Sequence, residues 1–110
     1  MAAAGQFEYG IEMLLQAIRL APANLEIHEE LREVALQRKA AGGADLGYLE
    51  KVKLNKSGAD AVESVLKAEK LLAYDPGNTD CIVAALRAAR AAELDAVAAW
   101  LERMLKRTSE

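Results

Sequence analysis

Residues 17–24 read AIRLAPAN, and residues 71–78 read LLAYDPGN. Each octapeptide places a proline four residues after an apolar pair and an asparagine two residues after that proline. Proline ends a helix and asparagine favours the first, N-cap position of the next, so both segments predict a turn between two helices. The two prolines lie 54 residues apart, and this recurrence indicates an internal repeat.

The first half of the chain predicts two main helices and a short inserted one. The first helix starts near Phe7, where apolar residues begin to recur at helical spacing. The second follows Asn24 and ends at the glycine pair 42–43. Residues 44–57 carry the pattern of a short amphipathic helix, and a turn is predicted at 55–58.

The second half predicts three more main helices. Asp60 is placed to cap the first of them, residues 75–77 end it, and Asn78 caps the next. The last helix covers residues 94–105. The joint before it, residues 91–93, has neither glycine nor proline, so the periodicity alone also allows one long helix there.

Composition supports an all-α protein and excludes a β fold. Hydrophobic residues make up 53% of the chain, but aromatic residues make up only 5%, and clusters of β-branched residues typical of strands are absent. Much of the hydrophobic content is alanine, which buries little area but lets helices approach closely.

Charge and cysteine content bound the function classes. A net charge of −3 argues against nucleic acid as the main partner. The balance is uneven, because residues 37–57 carry +3 and the remainder −6. Cys81 has no cysteine to pair with, which favours a reducing compartment. Without a recognisable signal peptide or membrane span, the cytoplasm is the expected location.

The first helix also resembles a known repeat. The run GQFEYGI at residues 5–11, followed by Leu14, the Ala-Ile pair at 17–18, Pro22 and Asn24, is similar to the second helix of a tetratricopeptide repeat. The similarity continues, less closely, over residues 61–78 and weakly over 81–105. It implies a right-handed α-α superhelix in which α-hairpins stack because none can bury its apolar face alone.

This resemblance divides the chain, taken as one domain of residues 1–110, into repeat-like segments at about 5–41, 59–78 and 79–107, with an insertion at about 42–58. The chain departs from the repeat in three ways. It begins inside a unit, the insertion separates its halves, and His28 and Arg32 stand where the first helix of a unit usually has tryptophan and glycine.

The resemblance also implies a partner-binding groove, and with it a scaffold that binds a peptide or helix of another protein. The second helix would contribute an acidic wall and the helix after Asn78 a basic one. The implied groove residues are Glu26, Glu29, Glu33, Leu36, Asp80, Val83, Arg87 and Arg90. The alternative is that these are solvated faces whose charges pair weakly with each other. Chaperone-binding members of the family bind a terminal carboxylate with a clamp of lysine and asparagine. This chain has glutamates where that clamp would begin, which argues against that activity.

Two other functions stay open at this stage. Self-assembly is one, with Phe7 and Trp100 as contacts between copies, although Trp100 is equally suited to covering the end of the stack. Binding of an anionic surface or nucleic acid through the basic insertion is the other, against an ordinary solvated loop. Tyr48 in the insertion is expected to anchor that loop to the helices.

No reaction chemistry is predicted, and neither a metal nor a cofactor. His28 has no nucleophile or phosphate loop to work with, so it is expected to pack between helices. Cys81, in the first turn of a helix, is either a small core residue or a thiol with a lowered pKa.

Overall fold

The computed structural model describes residues 4–54 and 60–109, and over these residues it contains six helices and no strand. The helices are α1 Ala4–Leu20, α2 Leu25–Ala40, α3 Tyr48–Leu54, α4 Ala61–Tyr74, α5 Thr79–Ala91 and α6 Asp95–Ser109. The all-α prediction of five main helices and a short inserted one is confirmed. The turn predicted at residues 55–58 lies outside the described residues.

The predicted N-caps at Asn24 and Asn78, after the two prolines, are confirmed. The side chain of Asn24 accepts a hydrogen bond from the Glu26 amide at 3.1 Å, and that of Asn78 accepts one from the Asp80 amide at 2.9 Å. The backbone angles also agree, with φ −80° and ψ 100° at Asn24 against φ −81° and ψ 112° at Asn78. Both asparagines satisfy amides that a helix start would otherwise leave unpaired.

α4 is the central helix of the molecule. It contacts α1, α2, α3 and α5, while the pairs α1–α2, α4–α5 and α5–α6 are hairpins. Two apolar clusters meet on it. Val65, Ala68 and Leu72 belong to the cluster shared with α5 and α6, and Leu66 and Ala73 belong to the one shared with α1 and α2.

The helix contacts of α2 differ from the stacking order that the sequence resemblance implies. In a superhelix of tetratricopeptide type, α2 and α5 are the first helices of successive units and lie side by side. Here α2 approaches α6, and no Cα atom of α2 lies within 8 Å of a Cα atom of α5. The radius of gyration of 12.9 Å is that of a compact domain, for which about 13 Å is expected at about 100 residues.

The joint before α6 is a helix end built without glycine. Glu93 has φ 59°, the left-handed conformation, and the Leu94 amide donates to the Ala89 carbonyl at 2.9 Å. The same backbone arrangement ends α2, where Gly42 has φ 88° and the Gly43 amide donates to Arg38. This reversal is the Schellman pattern. It ends α5 at Ala91 and excludes one long helix.

Glycine at position 93 is therefore expected to stabilise the protein. Glu93→Gly relieves the strain of a side chain in the left-handed region and should raise the free energy of unfolding by about 1 kcal/mol, net of glycine's entropy cost. Gly42→Ala is the matched control and should lower it by a similar amount. Urea denaturation followed by circular dichroism measures both. A Glu93→Gly variant less stable than wild type would contradict this description of the joint.

Candidate functional site

The structure does not bring the two predicted walls of the groove together. On α2, all four implied residues, Glu26, Glu29, Glu33 and Leu36, are exposed. On α5, Asp80, Arg87 and Arg90 are exposed and Val83 is half-buried. Because the Cα atoms of α2 and α5 stay more than 8 Å apart, the two helices are not packed neighbours with a groove between them. Whether any of them binds a partner stays a prediction.

The groove beside α2 is formed with α6 instead. It encloses about 350 Å³, within the range of about 300 to 1,000 Å³ of ligand pockets. Six residues line it: Arg32, Leu36, Trp100, Met104, Arg107 and Thr108. Leu36 is the one implied groove residue among them. Arg32 and Arg107 were missed because they lie 75 positions apart in the sequence, and only the α2–α6 contact makes them neighbours.

Of the two predicted oligomer contacts, Trp100 belongs to the core. Its side chain is only 9% exposed and lies in the cluster formed with α4 and α5. It therefore covers the inside of the fold and offers little surface to a second copy. Phe7 is half-buried on α1, and its contact with a second copy stays a prediction.

His28 is the most deeply placed polar residue of the chain's described part. Its side chain has no exposed surface, and Glu69, its partner on α4, is 3% exposed. The His28 Nδ1 atom lies 2.9 Å from Glu69 Oε1 and 2.8 Å from Oε2, and the bond to Oε1 has hydrogen-bond geometry. The Nε2 atom lies 2.8 Å from the Pro22 carbonyl oxygen.

These partners define the protonation of the pair. A carbonyl oxygen only accepts, so His28 Nε2 carries a hydrogen and donates it to Pro22. A second proton lies between Nδ1 and the Glu69 carboxylate. Burial alone lowers the pKa of His28, but the hydrogen bond and charge of Glu69, helped by Pro22, outweigh it and raise the pKa. The resulting ion pair joins α2 to α4.

The pair is unsuited to catalysis, because its atoms are closed off from any substrate. The expectation that His28 packs between helices is confirmed. Glu69 was not singled out by its sequence, since nothing local marks a glutamate on a helix as buried. Its position does fall among apolar neighbours on the inward side of α4, which is the available signal.

The carbonyls of both repeat prolines are bound by side chains of α2. His28 donates to Pro22, and the Arg32 guanidinium donates to the Pro76 carbonyl oxygen at 2.6 Å. These two residues are four positions apart and therefore lie on one face of α2. Together they connect both turns to α2.

Comparison with protein-family models, curated proteins and solved structures finds no match. Within residues 4–54 and 60–109, no helix is long and apolar enough to span a bilayer. No group of three or more potential metal ligands occurs in the same part of the chain.

Arg38, and not Tyr48, connects the start of the basic insertion to the helices. The Arg38 guanidinium lies 4.4 Å from the centre of the Tyr74 ring and donates to the Ala44 carbonyl at 2.6 Å. Leu46 packs against the core beside it. Tyr48 is 79% exposed, so the prediction that it anchors the loop is wrong. A planar guanidinium can stack on a ring and bind backbone at once, which explains its role here.

Cys81 is half-buried against the core cluster of α4, α5 and α6. Burial and the negative charges of Asp75 and Asp45 raise the pKa of its thiol. The alternative of a thiol with a lowered pKa is therefore wrong, because burial and nearby carboxylates disfavour the thiolate.

Removing one partner of the buried pair should lower the free energy of unfolding strongly, whereas replacing both partners should lower it much less. His28→Leu leaves the Glu69 carboxylate buried without its partner and is expected to lower the free energy of unfolding by about 3 kcal/mol or more. The double variant His28→Leu/Glu69→Leu removes both charges and should recover most of that loss. Chemical denaturation of the three proteins measures both effects.

The pair also predicts a pH dependence. Because the folded-state pKa of His28 is raised above its ordinary value of 6.5, its stabilising contribution is complete below that value and is lost as pH rises through the folded-state pKa. The free energy of unfolding of wild type, measured relative to that of the double variant, should therefore fall as pH rises above 6.5 and through the raised folded-state pKa. A difference that grows with pH over this range would contradict the assignment.

Proposed function

We propose that the chain is a non-enzymatic module that binds another protein, with the exposed apolar surface of α3 as its main contact. The single observation that carries this proposal is the exposure of three large apolar side chains on one short helix. Tyr48 is 79% exposed, Leu49 is 75% exposed and Val52 is 39% exposed. Their spacing places them on one side of α3.

This surface is presented by its contacts with the rest of the fold. α3 packs against α4, and Lys70 of α4 lies 3.0 Å from Glu12 of α1 and 3.6 Å from Glu50 of α3. Apolar side chains left in water on a supported helix forgo about 1.5 to 3 kcal/mol each that burial in an interface would return. Grouped exposure of this kind is typical of protein-binding sites.

The charges near α3 indicate the chemistry of the partner. Lys39 and Lys53 are exposed, and neither has an ion-pair partner among the described residues. An apolar surface bordered by lysines suits a partner that combines apolar side chains with acidic ones. Lys51 is less available, since its ammonium lies 2.6 Å from the Asp45 carboxylate.

The tetratricopeptide-like superhelix is the architectural part of the proposal. The equivalent caps at Asn24 and Asn78 support it, as does the tie between each repeat proline and α2. The α2–α6 contact departs from it. A scaffold role for the concave face of such a stack therefore has weaker support than binding through α3.

Self-assembly is the second candidate, favoured by the outer face of α1. Tyr9, Met13 and Leu20 are 68%, 53% and 86% exposed and share one face by their spacing. A second copy would bury them symmetrically. The third candidate, binding of anionic surfaces by the insertion, has less support, since Arg38 and Lys51 are engaged within the chain.

The lead proposal is tested by capture of partners from a native lysate. Wild type is compared with Tyr48→Ser/Leu49→Ser, which removes the α3 surface, and with Tyr9→Ser/Met13→Ser, which removes the α1 surface. We expect specific partners to be lost, by at least about tenfold, from the α3 variant alone, because two buried apolar side chains contribute more than the 1.4 kcal/mol that tenfold requires.

Light scattering over a range of protein concentrations separates the candidates. A wild-type dimer that Tyr9→Ser/Met13→Ser converts to a monomer would establish self-assembly through α1. Partners retained in full by the α3 variant would overturn the lead proposal. Circular dichroism of both variants checks that loss of binding is not loss of folding.

A further inference from the structure

Two arginines, Arg32 and Arg107, face the groove between α2 and α6. The Arg32 guanidinium is half-buried, and its one hydrogen bond goes to the neutral Pro76 carbonyl oxygen. Arg107 is exposed. In residues 4–54 and 60–109, no carboxylate lies within ion-pair distance of either one.

The two guanidiniums act on each other electrostatically. Burial lowers the pKa of Arg32, and the positive charge of Arg107 lowers it further. Arginine keeps its charge under all ordinary conditions, so the repulsion is not relieved by loss of a proton. An anion placed between them relieves it and gains charge-assisted hydrogen bonds from both.

The rest of the groove is apolar. Leu36, which is 44% exposed, forms its open side, and the buried side chains of Trp100 and Met104, 9% and 7% exposed, form its floor. The Thr108 hydroxyl donates to the Met104 carbonyl at 2.9 Å, so its proton is already used. The walls therefore accept an apolar side chain and leave the arginines as the only charged groups of the lining.

We infer that the groove between α2 and α6 binds a peptide segment in which an apolar side chain is followed by an aspartate or glutamate. The apolar side chain packs mainly on Leu36, over the floor formed by Trp100 and Met104, and the carboxylate lies between Arg32 and Arg107. Guanidinium favours carboxylate because its planar donors match the two oxygens.

This inference rests on the proposed function and adds a second, chemically defined contact to it. It also changes which residues select the partner. Arg32 and Arg107 replace the basic wall of Arg87 and Arg90 on α5, and Leu36 is kept. Arg90 is already paired, since its guanidinium lies 2.7 Å from Glu102.

The test uses a library of synthetic peptides with a fixed central Leu-Glu pair and randomised flanks. Binding of the best peptide to the full chain is measured by fluorescence anisotropy, together with a peptide in which Gln replaces that Glu. We expect Arg107→Gln and the Gln peptide each to weaken binding by about tenfold, the loss of one charge-assisted pair. When the Arg107→Gln variant is measured with the Gln peptide, binding should weaken by less than the product of the two separate fold-changes, because both changes remove the same ion pair.

Arg87→Gln is the matched control. It removes the same charge from an exposed arginine of α5, away from the groove, and should leave affinity unchanged. Arg32→Gln should weaken binding as Arg107→Gln does, but it also loses the bond to Pro76. Arg107 is exposed, so its substitution reports on the groove without disturbing the core.

Four outcomes would overturn the inference: no peptide binds, Arg107→Gln has no effect, Arg87→Gln weakens binding equally, or only a phosphoserine version of the peptide binds. A dimer that Arg107→Gln dissociates would make a second copy the occupant and also overturn it. The proposed function is tested by a separate result, the loss or retention of partners by the α3 variant. Partners lost with Tyr48→Ser/Leu49→Ser would uphold it even if no peptide enters the groove.

Discussion

The buried ion pair between His28 and Glu69 is the interaction on which the arrangement of the helices depends. It crosses from α2 to α4, the helix that both apolar clusters share. Apolar contacts alone are tolerant of small shifts, whereas a hydrogen-bonded pair with no access to water has one geometry and a high cost for any other. With Pro22 bound at the other nitrogen, His28 fixes α2 relative to a turn and to a second helix at once.

The orientation of α2 in turn creates the surfaces that bear on function. One helical turn after His28, Arg32 reaches the Pro76 carbonyl, and its guanidinium lies beside α6. Leu36, a further turn along, completes the same groove. His28 and Arg32 therefore bind the turns at Pro22 and Pro76, and Arg32 and Leu36 line the groove. The groove inferred to bind a peptide therefore lies on a face of α2 whose position depends on the contacts of His28 and Arg32 on the same helix.

The two polar residues on the inner face of α2, His28 and Arg32, determine how that helix packs. A small residue at position 32 would let neighbouring helices approach closely, and a tryptophan at position 28 would fill the interior with apolar surface. The chain instead places a histidine and an arginine there, and each needs a polar partner. Glu69 and the two proline carbonyls supply those partners.

The sequence by itself determined the all-α class, five main helices and a short one, and the caps at Asn24, Asp60 and Asn78, because caps and periodicity are local properties of a helix. Only the tertiary structure decided that α2 meets α6, that Glu69 is the partner of His28, and that Arg32 and Arg107 share a groove. The reason is that no local signal records which helices pack together. The joint at Glu93 was also decided only by the structure, because its sequence allowed a continuous helix, whereas the left-handed turn there separates α5 from α6.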